Sequence, residues 1–116
     1  MRTIIAGGRE ITDYEEVCRA ILFSDFDITE VVSGKARGAD SLGERFANEF
    51  GIPIKEFPAD WNKHGKAAGH IRNCQMADYA GDEGALIAIW DGQSRGTKNM
   101  IDYATKKGLK VYVHRV

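Results

Sequence analysis

Short apolar runs alternate along the chain with stretches in which apolar residues recur at helical spacing. Thr3–Ala6 is a short apolar strand that stops at Gly7-Gly8, where the backbone can take angles that other residues resist. Thr12-Asp13-Tyr14-Glu15 reads as a capping box, and Tyr14, Val17, Ile21 and Leu22 give the helix it opens one apolar face. The polar stretch Ser24–Asp27 ends that helix. Ile28–Val32 predicts a second strand and Ser33–Asp40 a loop; Leu42, Phe46, Ala47 and Phe50 then form the buried side of a second helix, stopped at Gly51. Ile52–Phe57 is a third strand, with Pro53 near its start, where proline is easiest to accommodate. Pro58–Gly69 has no clear period and is long for a strand-to-helix connection, which marks it as a candidate binding loop. A helix from about His70 to Tyr79 turns Met76, Tyr79 and Ala80 toward the core, and Asp82-Glu83-Gly84 turns the chain. Ala85–Trp90 is the most apolar run and the expected central strand. The loop Asp91–Thr97 feeds a last helix that buries Met100, Ile101 and Ala104, places Lys106 and Lys107 in its final turn, and stops at Gly108. Leu109, Val111 and Val113 alternate with Lys110, Tyr112 and His114, the pattern of a half-exposed edge strand.

Strand followed by helix, repeated and closed by a final strand, predicts an α/β domain spanning residues 1–116 around a five-stranded parallel sheet. The expected strand order is 3-2-1-4-5. The first and fourth strands are then neighbours at the switch point, and the loops beginning at Gly7 and Asp91 flank one crevice, where such sheets bind ligands. A chain of 116 residues that is 43% hydrophobic suits one core.

The formal net charge of -1, with 28% charged residues, argues against a nucleic-acid coat and against an acidic tail. The local picture differs. Arg9, Lys35, Arg37, Lys66, Arg72 and Arg95 lie in or beside the expected loops, which suits a small anionic ligand better than a long polyanion. The two cysteines, Cys18 and Cys74, fall within expected helices and read as reduced, largely buried thiols. No metal-ligand spacing and no apolar run of membrane-spanning length occurs, so no metal is expected and a cytoplasmic protein is the default.

Each strand-end loop carries candidate chemistry. Gly92, Gly96 and Thr97 are suited to present backbone N–H groups and a helix start to a phosphate, with hydroxyls from Ser94 and Thr97 and a charge from Arg95. The bland reading is a glycine turn and a threonine cap. Gly7, Gly8 and Arg9 permit close approach of a phosphate or base, or form a tight turn with a surface arginine. Gly34, Lys35, Arg37 and Gly38 offer a second anion contact. Asp40 either receives a ribose hydroxyl or caps its helix with Ser41. The Lys35 loop lacks the glycine-lysine-serine/threonine ending of a Walker A sequence, which speaks against ordinary NTP hydrolysis. Trp61 either stacks on a base, with Asp60 bonding its edge, or plugs its loop onto the core. His70 and Arg72 open the third helix; Arg72 is placed to clamp phosphate and His70 to donate a hydrogen bond or act as an acid.

Taken together, Gly7-Gly8-Arg9, Ser33-Gly34 with Arg37-Gly38-Ala39-Asp40, Phe57-Pro58-Ala59-Asp60-Trp61, Gly65-Lys66-Ala67-Ala68-Gly69, Arg72-Asn73-Met76, and Asp91-Gly92 with Ser94-Arg95-Gly96-Thr97 resemble the YspA-type, YpsA-related branch of the SLOG superfamily. These are small bacterial and phage proteins with a Rossmann-like, three-layer fold, and the resemblance covers nearly the whole chain. It implies binding of a nucleotide or nucleotide-derived ligand, a site that includes Asn73, and self-association into a homo-oligomer.

More distant SLOG relatives, the lonely-guy phosphoribohydrolases, cut the N-glycosidic bond of nucleoside monophosphates. Their arginine-containing helix is similar to His70-x-Arg72-Asn73-x-x-Met76, and their glycine-threonine motif to Gly96-Thr97. They carry a glutamate three residues after that threonine, where this chain has Met100. For such a reaction the candidate catalytic residues are Asp60, Arg72 and Asp91, with Glu10 as a further substitute carboxylate. Another relative, DprA, binds single-stranded DNA, a role that needs a continuous basic path with stacking rings. The leading expectation is therefore a small-molecule nucleotide site at the ends of strands 1, 2 and 4. N-glycoside hydrolysis is the alternative and single-stranded nucleic-acid binding the minority reading.

Overall fold

The computed structural model describes residues Met1–Val116. Five strands form one parallel sheet in the order 3-2-1-4-5, as the alternation of elements predicted: β1 Arg2–Gly7, β2 Glu30–Ser33, β3 Ile54–Glu56, β4 Ala85–Trp90 and β5 Lys110–Arg115. The middle position belongs to β1. β4 lies next to it and is buried from Ala85 to Ile89, while β5 forms an edge.

The two-residue period of the strands sends alternate side chains to opposite faces, and helices cover both. Ile4, Val32, Leu86 and Ala88 pack with Met76 and Ala77 of α4 (Ala68–Ala80) and with Met100 and Ala104 of α5 (Arg95–Lys106). On the other face Ile5, Val31, Ile87 and Ile89 pack with Val17, Ala20 and Ile21 of α1 (Tyr14–Ser24) and with Ala39 and Ala47 of α2 (Ala39–Glu49). The result is the three-layer, Rossmann-like arrangement. No helix is long and apolar enough to cross a membrane.

Local chemistry moves several expected details. The cap of α1 is Asp13, not Thr12: its carboxylate accepts the Glu15 N–H at 3.0 Å, and Thr12 stays outside the helix. Leu22 and Phe50, expected on buried faces, are 73% and 65% exposed, because Leu22 falls in the last turn of α1 and Phe50 caps the C-terminal end of α2, beyond the reach of the sheet. Phe50 stacks instead on Phe46, with ring centroids 4.6 Å apart. Cys18 and Cys74 are free thiols but only half-buried. Pro58–Gly69 is not wholly irregular. Asp60 accepts the Lys63 N–H at 3.1 Å and so caps the one-turn α3, Trp61–His64, which runs through a 3₁₀ turn at Gly65–Ala67 into α4. α4 therefore begins at Ala68, ahead of the expected His70.

Candidate functional site

Parallel strands deliver their C-terminal ends to the same side of the sheet, and the loops leaving β1, β2 and β4 meet there. Between them lies a crevice of about 540 Å³. Gly7, Gly8 and Arg9 line it from the first loop, Asp40 from the start of α2, and Asp91, Ser94, Gly96 and Thr97 from the fourth. α3 and α4 close it with Trp61, His70, Arg72 and Asn73. The loops beginning at Gly7 and Asp91 thus flank one crevice, as the strand order requires.

The first two loops are held back to back. Ala39 donates its N–H to the Gly8 carbonyl at 3.2 Å, and Gly38 has φ 76°, a left-handed conformation that favours glycine. A Cβ on Gly38 would strike the Gly8 carbonyl and the Arg9 backbone. Gly38 thus shapes the wall without lining it.

Asp40 sits behind this wall, 5% exposed. Its Oδ2 accepts the Ala36 N–H at 3.2 Å, tying down the second loop. It is not the helix cap; Gly38 holds that position with no side-chain bond, and Ser41 instead donates its hydroxyl to the Ala36 carbonyl. Arg72 approaches from α4, donating Nη1 to the Gly34 carbonyl and Nε to Asn73 Oδ1. The Asp40 carboxylate and Arg72 guanidinium flank the same spot: a Cβ on Gly34 would lie 2.8 Å from Asp40 Oδ2 and 2.5 Å from Arg72 Nη1. Burial pushes the Asp40 carboxyl up from 3.8 to about 6, against the opposing pull of the Ala36 N–H and the Arg72 and Arg9 charges. Burial also pushes the Arg72 guanidinium down from its ordinary value, partly offset by Asp40. Desolvation outweighs attraction for both partners, so the pair costs the fold stability, a frequent property of functional sites.

Asn73, itself buried, carries the connection onward. Its Nδ2 donates to Asn99 Oδ1 at 3.0 Å and to the Gly96 carbonyl at 3.4 Å, so one chain of bonds runs from Gly34 through Arg72 and Asn73 to the start of α5. Ser94 caps that helix, accepting the Thr97 N–H at 3.4 Å and exchanging a hydroxyl bond with Thr97 at 3.1 Å. Ser94, not Thr97, is therefore the cap. Trp61 is 50% exposed and lies under the Arg9 guanidinium, 5.8 Å from its ring centroid. Its half-exposed indole faces the crevice rather than plugging the core.

Other expected residues are engaged differently or lie outside the crevice. Asp91 Oδ1 accepts the Ser94 and Gln93 N–H groups, both at 2.8 Å, and these bonds hold its carboxyl below the usual range. Asp60 caps α3 and does not line the crevice. Gly92 has φ 84°, and the space beside it is filled by the Arg115 guanidinium, which also lies over Trp90 at 5.3 Å. Arg95 opens α5 at the surface, outside the crevice. Gly34, Lys35 and Arg37 line a second compartment of about 410 Å³ beside the first. Glu10, by sequence only a substitute carboxylate, lines the crevice, and so do Ala36, Lys66 and Gly69. Met76 and Met100 also line it, although their place in the apolar pattern reads as core alone. No group of three or more His, Cys, Asp or Glu side chains is arranged to hold a metal ion.

Comparison with known proteins identifies the family. A family model described as the YspA, cpYpsA-related SLOG family matches residues 1–64. The Gene 61 protein of Mycobacterium phage D29 is 37% identical over 119 residues, covering 95% of this chain and 93% of that protein. No solved structure matches significantly. The matched segment contains the first two loops and Trp61, and the phage relative spans the arginine helix and the fourth loop as well, so the chain belongs to the YspA, cpYpsA-related SLOG family.

Proposed function

We propose that the crevice binds a nucleotide or a nucleotide-derived ligand. The observation that carries this reading is the convergence of three recognition chemistries on one crevice at the β1–β4 switch point. The first turn of α5, with Gly96 and Thr97 on the crevice, suits a phosphate. One oxygen of Asp40 is committed to Ala36, and the other has no protein partner and is left for a ribose hydroxyl. The half-exposed indole of Trp61 offers a face for a base. Membership of a SLOG family supports the same ligand class. Asp60 stands outside the crevice, so N-glycoside hydrolysis draws no support from it, and Asp91, on the crevice, has Oδ1 taken up by two backbone N–H groups and only Oδ2 left for such a role.

Gly96 gives the cleanest test. No atom lies within 4 Å of a Cβ placed there, so Gly96→Val keeps the fold while adding bulk at the crevice. Titration calorimetry with a panel of nucleoside mono- and diphosphates is expected to show binding to the parent and a loss of about tenfold or more in the variant, with an unchanged melting temperature. Equal affinity for parent and variant, or no binding by either, sinks the reading. Arg72→Ala is less selective, because it also removes the bonds to Gly34 and Asn73.

A further inference from the structure

The second compartment is not an isolated pit. It shares Arg9, Ala36, Trp61 and Arg72 with the main crevice, so the two form one bipartite cavity with Trp61 and Arg72 at the join. Their linings differ in charge. The crevice has Glu10, Asp40 and Asp91 on its walls as well as cations. The annex has Arg9, Lys35, Arg37 and Arg72 and no carboxylate.

Not all of those cations are free. The Lys35 ammonium is held by Glu44 at 3.0 Å and Glu56 at 3.1 Å. The exposed Arg37 makes no protein ion pair or hydrogen bond, and Arg72 uses Nη1 and Nε but leaves Nη2 without a protein partner. The backbone between these cations is also unusual. Lys35 has φ 60°, a left-handed conformation that a lysine rarely adopts, and it is kept there by its N–H to Ser33 Oγ at 3.1 Å and by its two ion pairs. Over-determined strain of this kind collects at ligand-binding segments.

Resting on the proposed nucleotide site, we infer that the ligand is bipartite: a nucleotide with a second phosphate, whose nucleoside occupies the crevice and whose second phosphate occupies the annex between Arg37 and Arg72. A monophosphate leaves the annex empty. The second phosphate belongs either to a 5′-diphosphate or to a separate position on the ribose, and both present the same dianion to the two guanidinium groups.

The test uses the whole chain and titration calorimetry with AMP, ADP, adenosine 3′,5′-bisphosphate, GMP and GDP. Hydrogen bonds from guanidinium to phosphate are charge-assisted and stronger than neutral ones, so at least one two-phosphate ligand is expected to bind about tenfold or more tightly than its monophosphate. Whether ADP or the 3′,5′-bisphosphate gains decides where the second phosphate is attached. Arg37→Ala should collapse the affinity ratio toward one, and Arg37→Lys should restore part of it. Equal binding of one- and two-phosphate ligands overturns the inference while leaving the nucleotide site standing. So does a ratio that survives Arg37→Ala. Failure of the monophosphates and all the others to bind removes both readings.

Discussion

Replacing Asp40 with asparagine should stabilise the protein at neutral pH. The carboxyl titrates at about 6 in the fold and at 3.8 in the unfolded chain, because burial disfavours its charge. The folded state therefore holds the proton more tightly than the unfolded state. Stability contributed by this group is full below about pH 4, falls as pH rises through about 6, and stays low above it. A shift of little more than two pH units at about 1.4 kcal/mol each puts the penalty at about 3 kcal/mol at pH 7.5. The substituted amide keeps a carbonyl for the Ala36 N–H and carries no charge, so Asp40→Asn should recover about 1–3 kcal/mol at pH 7.5 and almost none at pH 4. Urea unfolding of parent and variant at both pH values measures the difference directly. Glu16, Glu49 and Asp91 have lowered values, so their own stabilisation is lost as pH falls; taking variant minus parent cancels them. A variant less stable than the parent at pH 7.5, or a gap that does not change with pH, would refute the claim that Asp40 is a charge held against the fold's interest.

Three further substitutions probe the scaffold. Gly43→Ala places a Cβ 2.9 Å from Ile5 Cβ and Cγ2 where α2 crosses the sheet; overpacking of about 1–3 kcal/mol outweighs roughly 1 kcal/mol of helix propensity, and the melting temperature should fall. Met76→Ala removes a side chain 1% exposed that supports both the core and the crevice; a loss of about 2–5 kcal/mol in chemical denaturation is expected, with a wider crevice. Ser94→Ala uncaps α5 and should cost about 1 kcal/mol by the same assay.

The sheet was legible because its strands are consecutive apolar runs punctuated by loops, and one parallel order puts Gly7 and Asp91 at a common crevice. Periodicity says which face of a helix is apolar but not how far the sheet extends beneath it, which is why Leu22 and Phe50 read as core and lie in solvent. α3 is a single turn, too short for any period to show, and its only signal was Asp60 three residues before Lys63. The loop residues were recognisable as a set, but their division of labour was not. Lys35 is neutralised by Glu44 and Glu56 from other elements, and Gly92 makes room for Arg115 from the far end of the chain. Such long-range pairings leave no local trace. Nor does the chain of bonds from Gly34 through Asn73 to Gly96, which joins loops far apart in sequence.

The placement of the tryptophans gives the molecule an optical readout of its own. Trp61 borders both compartments with half its surface open, whereas Trp90 is partly buried and its indole N–H is fixed to the Ser94 carbonyl at 3.1 Å. An indole's emission follows the medium around it, so whatever fills the cavity exchanges water for ligand against Trp61 and leaves Trp90 nearly untouched. Intrinsic fluorescence therefore records occupancy without a label, and Trp61→Phe leaves the Trp90 signal as the internal reference.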